Sequence, residues 1–239
     1  MAASLLLLVN ILQIGFKSFE PFYSDMFFVP WILYEELSRN LFFFVFRMTL
    51  VEGTNDYSIV SKLSASSTGY WEDEFLQEFV DRKKKRASLI NWGYYLRNKS
   101  LECTFEEIIK NLCKLQGKFQ ILSVGAGFDT TFFNVISKFQ SDYLSFFEID
   151  LPSNVERKTS LIQKSEKCKK FLSNACFSKD GIISDKFRLF ACDLSKQDLL
   201  DKKLKEHYFN FSLPTVILSE CVITYMENED ATNLIKYLG

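Results

Sequence analysis

A single histidine, His207, in 239 residues leaves almost no raw material for a histidine metal centre or a His-dependent nucleophile triad. The six cysteines (Cys103, Cys113, Cys168, Cys176, Cys192 and Cys221) form no CxxC pair, and several fall inside apolar runs. They read as reduced core thiols of a cytosolic protein, and no metal site is expected. Charge of one sign is not in excess either. With 29 basic against 30 acidic side chains, any nucleic-acid contact has to come from a local patch. Long hydrophobic runs are also lacking. Ser4–Phe16 and Leu41–Phe46 are largely apolar, but both fall short of the roughly 18 residues that signal a membrane span. The start Met1-Ala-Ala-Ser carries no basic n-region, which argues against a secretory leader. The expected setting is the cytoplasm, with no membrane partner.

What is present is enough apolar material, 47% of residues, for a real core. The first 47 residues form an apolar segment unlike the rest, and ordinary soluble composition begins at Met48, so residues 48–239 are expected to be the folded domain. From Trp71 to Arg86 the apolar residues Phe75, Leu76, Phe79 and Val80 recur at helical spacing and run into the basic cluster Asp81-Arg-Lys-Lys-Lys-Arg86. This predicts an amphipathic helix with a basic end. A second helix is expected from Leu101 to Leu115.

The most informative stretch is Phe119-Gln-Ile-Leu-Ser-Val-Gly125-Ala-Gly127-Phe-Asp129, followed by Phe146-Phe-Glu148-Ile-Asp150. An apolar run ending in a glycine turn, with an acid closing the next apolar run, is how a doubly wound sheet holds an adenosyl group. Thr130 stands where a dinucleotide fingerprint places its third glycine. S-adenosylmethionine is therefore favoured over NAD, with Asp150 expected to accept from the ribose hydroxyls. Strands and helices then alternate: strands 119–124, 144–149, 187–192 and 215–219, and helices from about 130, at 153–165, 195–206 and 228–238. That alternation predicts an α/β fold with a mostly parallel sheet. Asp150, Asp193 and Glu220 each close a strand, where open sheets bind ligands.

With these motifs in hand the chain resembles the leucine carboxyl methyltransferase superfamily from about residue 52 onward. The matching segments are Gly53-Thr-Asn-Asp56 with Ser61-Lys62, Gly69-Tyr70, Lys85-Arg86-Ala, Gly93-Tyr-Tyr-Leu-Arg97, Val124-Gly-Ala-Gly-Phe-Asp129, Glu148-Ile-Asp150, Arg157-Lys158, Asp193-Leu194 and Leu218-Ser-Glu220-Cys-Val-Ile-Thr-Tyr225-Met. The resemblance implies a Rossmann-like S-adenosylmethionine-dependent methyltransferase with an N-terminal helical extension. It places cofactor contacts at Lys62, Arg97, Gly125, Asp150, Asp193, Leu194 and Glu220. Lys62 and Arg97 would hold the methionine carboxylate, Glu220 would sit near the ammonium, and Asp193 with Leu194 would flank the adenine. No residue is assigned as acid or base.

Two branches of the family compete. One acts on the wybutosine precursor side chain of phenylalanine tRNA, with methoxycarbonylation also credited to it; the other methylates the C-terminal leucine of the phosphatase 2A catalytic subunit. The Thr-Asn-Asp and Gly-Tyr-Tyr-Leu-Arg segments favour the tRNA branch, while Trp71 and Asp129-Thr-Thr131-Phe favour the protein branch. The tRNA branch is the expectation from sequence. Trp92 stands where the family has arginine and Ser88 where it has proline, which alters the substrate side of the site. The sheet of such enzymes continues past the fourth strand, so this one is expected to be C-terminally incomplete. That incompleteness carries a further alternative, a fragment that binds cofactor weakly and catalyses nothing.

Overall fold

The computed structural model describes residues 41–81, 83–114, 117–139 and 142–239, with side chains from residue 53 onward. Most of the apolar N-terminal segment thus lies outside the described residues. Two long helices come first, α1 (Leu41–Ser67) and α2 (Ser88–Lys114), packed against each other. The α/β unit follows as β1 (Phe119–Val124), α3 (Thr131–Phe139), β2 (Leu144–Asp150), α4 (Pro152–Lys164), α5 (Glu166–Lys169), β3 (Cys176–Ser178), β4 (Gly181–Ile183), β5 (Phe187–Ala191), α6 (Gln197–Glu206), β6 (Thr215–Ser219) and α7 (Asn228–Leu238).

The strands form one sheet in the order β3-β4-β5-β2-β1-β6. β5, β2, β1 and β6 run parallel, while β4 pairs antiparallel with both β3 and β5. The chain builds outward from β1 to β2 and β5, then returns through α6 to place β6 on the other side of β1. Such a reversal opens a crevice at the carboxyl ends of the strands.

The period of two along each strand divides the core into two layers. Phe119, Ile121, Phe146, Phe187, Leu189, Val216 and Leu218 join one buried cluster with Phe132 and Phe133 of α3 and with Val155 and Ile162 of α4. The Phe132 and Phe187 rings stack at 4.4 Å. On the opposite face Leu122, Val124, Phe147, Ile149, Phe190 and Ile217 meet Leu200 and Leu204 of α6 and Leu234 of α7. His207, just past α6, stacks on Phe190 at 4.1 Å, where burial lowers its pKa. Pro152 opens α4 at the first turn, where a missing N–H costs nothing.

The helix expected from Trp71 to Arg86 does not form. Only Leu76–Phe79 make a 3-10 turn, after which Val80 is extended. Asp73 explains the start: its carboxylate accepts from the Phe75 amide at 3.0 Å, from the Thr130 hydroxyl at 2.6 Å and from Asn134 at 2.9 Å. Local side-chain bonds of this kind compete with helix initiation. Phe75, Leu76 and Phe79 are buried all the same, so the segment is an irregular strap rather than a helix, and Lys83, Lys84 and Lys85 of its basic end are exposed and without regular structure. α2 begins 13 residues before the expected Leu101, because Arg97-Asn-Lys-Ser100 interrupts the apolar period in the sequence.

The β3–β4 hairpin escaped sequence reading because three-residue strands are too short to show a period. Gly181 is essential to it: a Cβ there would lie 1.8 Å from the Leu189 carbonyl oxygen. The reading of core thiols holds for Cys168 and Cys192, which are buried, whereas Cys103 and Cys176 are exposed. No helix among the described residues is long and apolar enough to cross a membrane.

Candidate functional site

The turn after β1 is built around two glycines in the left-handed region, Gly125 at φ +64° and Gly127 at φ +46°. There is no room for more. A Cβ on Gly125 would lie 2.3 Å from Val222 Cγ2, and one on Gly127 would lie 2.5 Å from Asn55 Oδ1. The turn is therefore wedged between the loop after β6 and α1. Gly125→Ala combines backbone strain with this clash, and chemical denaturation should show a loss of about 1–3 kcal/mol.

Asp150 at the end of β2 braces the same turn. Its Oδ2 accepts from the Gly127 amide at 2.5 Å, while Oδ1 accepts from the Leu151 amide at 2.7 Å and from Asn154 at 2.8 Å. The Phe128 amide donates to Asn55 Oδ1 at 2.8 Å, which ties α1 to the turn. After β5, Asp193 Oδ1 accepts from both the amide (3.0 Å) and the hydroxyl (2.8 Å) of Ser195. That local bonding delays α6 to Gln197, two residues later than expected. Leu194 turns inward and is almost fully buried.

Four charges meet deeper in the site. Lys62 Nζ of α1 lies 2.9 Å from Glu220 Oε2 and 3.5 Å from Asp129 Oδ1, and Arg97 Nε of α2 lies 2.6 Å from Glu220 Oε1. The Arg97 guanidinium also covers the Tyr94 ring at 4.6 Å. Burial pulls the Lys62 pKa down, but Glu220 and Asp129 outweigh it and leave the ammonium more firmly protonated than usual. Burial pushes Glu220 up, yet Lys62 and then Arg97 overcome this and bring it to about 2.

A carboxylate with a folded pKa below its unfolded value contributes stability above the unfolded pKa, and that stability is lost as pH falls through the folded pKa. The window here runs from about 4.5 down to about 2. Glu220 should therefore contribute on the order of 3 kcal/mol at neutral pH. Urea titrations across that range should show the loss, and Glu220→Gln should flatten it.

A second buried pair underlies the first. Lys158 of α4 donates to Glu148 Oε2 at 2.6 Å and to the Asp129 carbonyl at 2.8 Å, with both charged side chains about 1% exposed. At the surface Arg157 pairs with Asp56 at 2.6 Å and joins α4 to α1.

All seven residues expected from sequence line one cavity of about 740 Å³: Lys62, Arg97, Gly125, Asp150, Asp193, Leu194 and Glu220. This lies within the range of small-molecule sites. Sequence reading missed Asn55, Tyr94, Asn154 and Val222, which share the lining. The signal for Asn55 lay in the Thr-Asn-Asp segment, and for Asn154 in its position one helical turn after Asp150.

The cavity carries unspent hydrogen-bonding capacity. Asn55 Nδ2 and Asn154 Oδ1 are buried without a hydrogen-bond partner, whereas Arg97 Nε and Glu220 Oε1 are spent on each other at 2.6 Å. Buried polar atoms are ordinarily satisfied, so one donor and one acceptor beside the same cavity suit a ligand bearing both polarities. S-adenosylmethionine carries both.

Comparison with known proteins follows this geometry. Residues 52–239 match the family model described as "Leucine carboxyl methyltransferase". The chain is similar to the Leucine carboxyl methyltransferase 1 homolog of Arabidopsis thaliana, at 32% identity over 190 residues, covering 78% of this chain and 56% of that protein. Leucine carboxyl methyltransferase 1 of Bos taurus is 33% identical over 196 residues, covering 78% and 57%. tRNA wybutosine-synthesizing protein 4 of Homo sapiens is 30% identical over 202 residues, covering 80% of this chain and 29% of that one. The chain thus spans little more than half the length of the leucine carboxyl methyltransferases it matches.

Proposed function

Since the chain belongs to the leucine carboxyl methyltransferase family, we propose that it methylates a carboxylate with S-adenosylmethionine as donor. The observation that supports this best is the convergence of all seven expected residues on one cavity at the carboxyl ends of the parallel strands. Asp150 would meet the ribose, Asp193 and Leu194 the adenine, and the Lys62, Arg97 and Glu220 cluster the amino-acid end. Gly125 and Gly127 let the backbone approach. The donor supplies a methyl group on a positively charged sulfur.

The acceptor carboxylate is already ionised at neutral pH, so no side chain has to remove a proton. The protein's part is alignment of the two reactants and exclusion of water. Burial of the Lys62, Arg97, Glu220 and Asp129 cluster suits the second task, since two cations and two carboxylates offer balanced charge in a site shielded from solvent.

For the acceptor we favour a protein's C-terminal leucine carboxylate, that of the phosphatase 2A catalytic subunit. Relatives named leucine carboxyl methyltransferase 1 support it at up to 33% identity. The second reading is the wybutosine precursor of phenylalanine tRNA. It draws on the sequence motifs and on relatives named tRNA wybutosine-synthesizing protein 4, at 30% and 26% identity. Transfer of labelled methyl to a leucine-terminated protein and not to its C-terminal amide supports the first. Label entering only the tRNA supports the second. Absence of transfer, together with non-cooperative unfolding, would match the inactive-fragment alternative.

A further inference from the structure

Resting on the protein-carboxylate reading, we propose that the strip Lys83-Lys84-Lys85-Arg86, three exposed lysines and a half-buried arginine, is a docking surface for acidic residues a few positions upstream of the methyl-accepting C-terminus. The strip is separate from the cofactor residues. Lys83, Lys84 and Lys85 are three consecutive exposed lysines that make no ion pair among the described residues, whereas several lysines elsewhere on the surface, such as Lys138, Lys167 and Lys186, are matched with carboxylates. No acidic residue occurs between Asp81 and Glu102, so along this stretch Asp81 alone offsets the positive charge of the strip.

The strip also has a fixed relation to the cavity. The Arg86 amide donates to Ser64 Oγ of α1 at 2.9 Å, and the Arg86 guanidinium lies 4.2 Å over the Tyr57 ring. Tyr57 is 46% exposed and lines the cavity. A chain whose last carboxylate enters past Tyr57 therefore meets Arg86 first and the three lysines next. Three residues extend at most about 10 Å, so the match is to a short stretch of the acceptor. The cavity wall at the start of α7 carries Asp230 and, just before the helix, Glu227, which disfavours an acidic chain leaving on that side.

Size decides between a peptide and RNA. Tight duplex binders make roughly 6–10 phosphate contacts, and this is one run of five basic residues, Arg82 to Arg86, on a chain of net charge −1. A short acidic peptide matches the strip; a polynucleotide needs a larger footprint. Charges at the rim of an interface act mainly on encounter and on salt dependence.

The experiment uses the full chain and two short leucine-terminated peptides, one with glutamates upstream and one with glutamines in their place. KM for the glutamate peptide should be roughly 10-fold lower at low salt, with kcat unchanged, and the advantage should vanish at high salt. Lys83→Glu/Lys84→Glu/Lys85→Glu should remove it, and the milder triple glutamine variant should reduce it; thermal unfolding checks that both remain folded. Equal KM values for the two peptides, or a preference that survives the triple glutamate change, would overturn the docking surface. Fluorescence anisotropy separates this from the catalytic reading. Strip-dependent binding of the glutamate peptide without methylation would keep the surface and sink the proposed reaction. Strip-dependent binding of a tRNA transcript that displaces the peptide would reassign the surface to RNA.

Discussion

Lys158→Met should lower the unfolding free energy by about 3–5 kcal/mol, among the largest losses available to a single substitution here. The Lys158 and Glu148 side chains are each about 1% exposed and 2.6 Å apart. Removing the cation leaves a carboxylate with no counter-charge, and Glu148 Oε1 already lacks a hydrogen-bond partner. The lost bond to the Asp129 carbonyl would loosen the turn after β1 as well. Glu148→Leu combined with Lys158→Met should recover much of the loss, since a buried ion pair replaced by apolar volume is often close to neutral.

The pH dependence gives an independent sign. Burial raises Glu148 to about 7 even with Lys158 beside it. An acid whose folded pKa exceeds its unfolded value binds more protons when folded, so its contribution falls as pH rises from about 4.5 to about 7. The Lys158→Met protein should therefore be partly rescued by mild acid. Urea midpoints at pH 5.5 and 8 test this, and a variant equally unstable at both would remove Glu148 from the explanation.

The second large effect is expected at Asp150. Replacing it by alanine removes the acceptor for three internal donors and the proposed partner of the ribose. Hydrogen bonds to a charged group are worth about 1.5–3 kcal/mol each, so affinity for S-adenosylmethionine should fall on the order of 100-fold or more by calorimetry. Asp150→Asn keeps some acceptor capacity and should lose less. Faster exchange of the Gly127 amide in the alanine variant would show that the brace has gone too. Unchanged affinity in a folded alanine variant would count against the cofactor assignment.

The parallel strands were legible because each is an apolar run bounded by turn residues and followed by a helix with its own period. Their carboxyl ends were legible for the same reason, which is why Asp150, Asp193 and Glu220 could be placed before any coordinates. The strap from Trp71 to Arg86 was not. Its apolar spacing fits one helical turn, and nothing local reveals that Asp73 bonds to Thr130 and Asn134, residues 57 and 61 positions away. The mutual pairing of Lys62, Arg97 and Glu220 is likewise invisible in sequence, because it depends on α1 and α2 folding across the strand ends. Glu148 and Lys158 stood out as matching motifs, yet only burial shows that they form a pair.

The bond between Lys62 and Glu220 joins residues 158 positions apart. A ribosome therefore delivers Lys62 and Arg97 long before the carboxylate that both share. Until β6 has emerged, the nascent chain can form the turn around Gly125 and Gly127 but not the charge balance beneath it. Contacts of such long range pay their loop-closure cost last. The cavity's electrostatic completion thus follows its turn in biosynthesis, and a translational pause just before Thr215 would leave Lys62 with Asp129 alone and Arg97 without its carboxylate, open to whatever anions the surroundings supply.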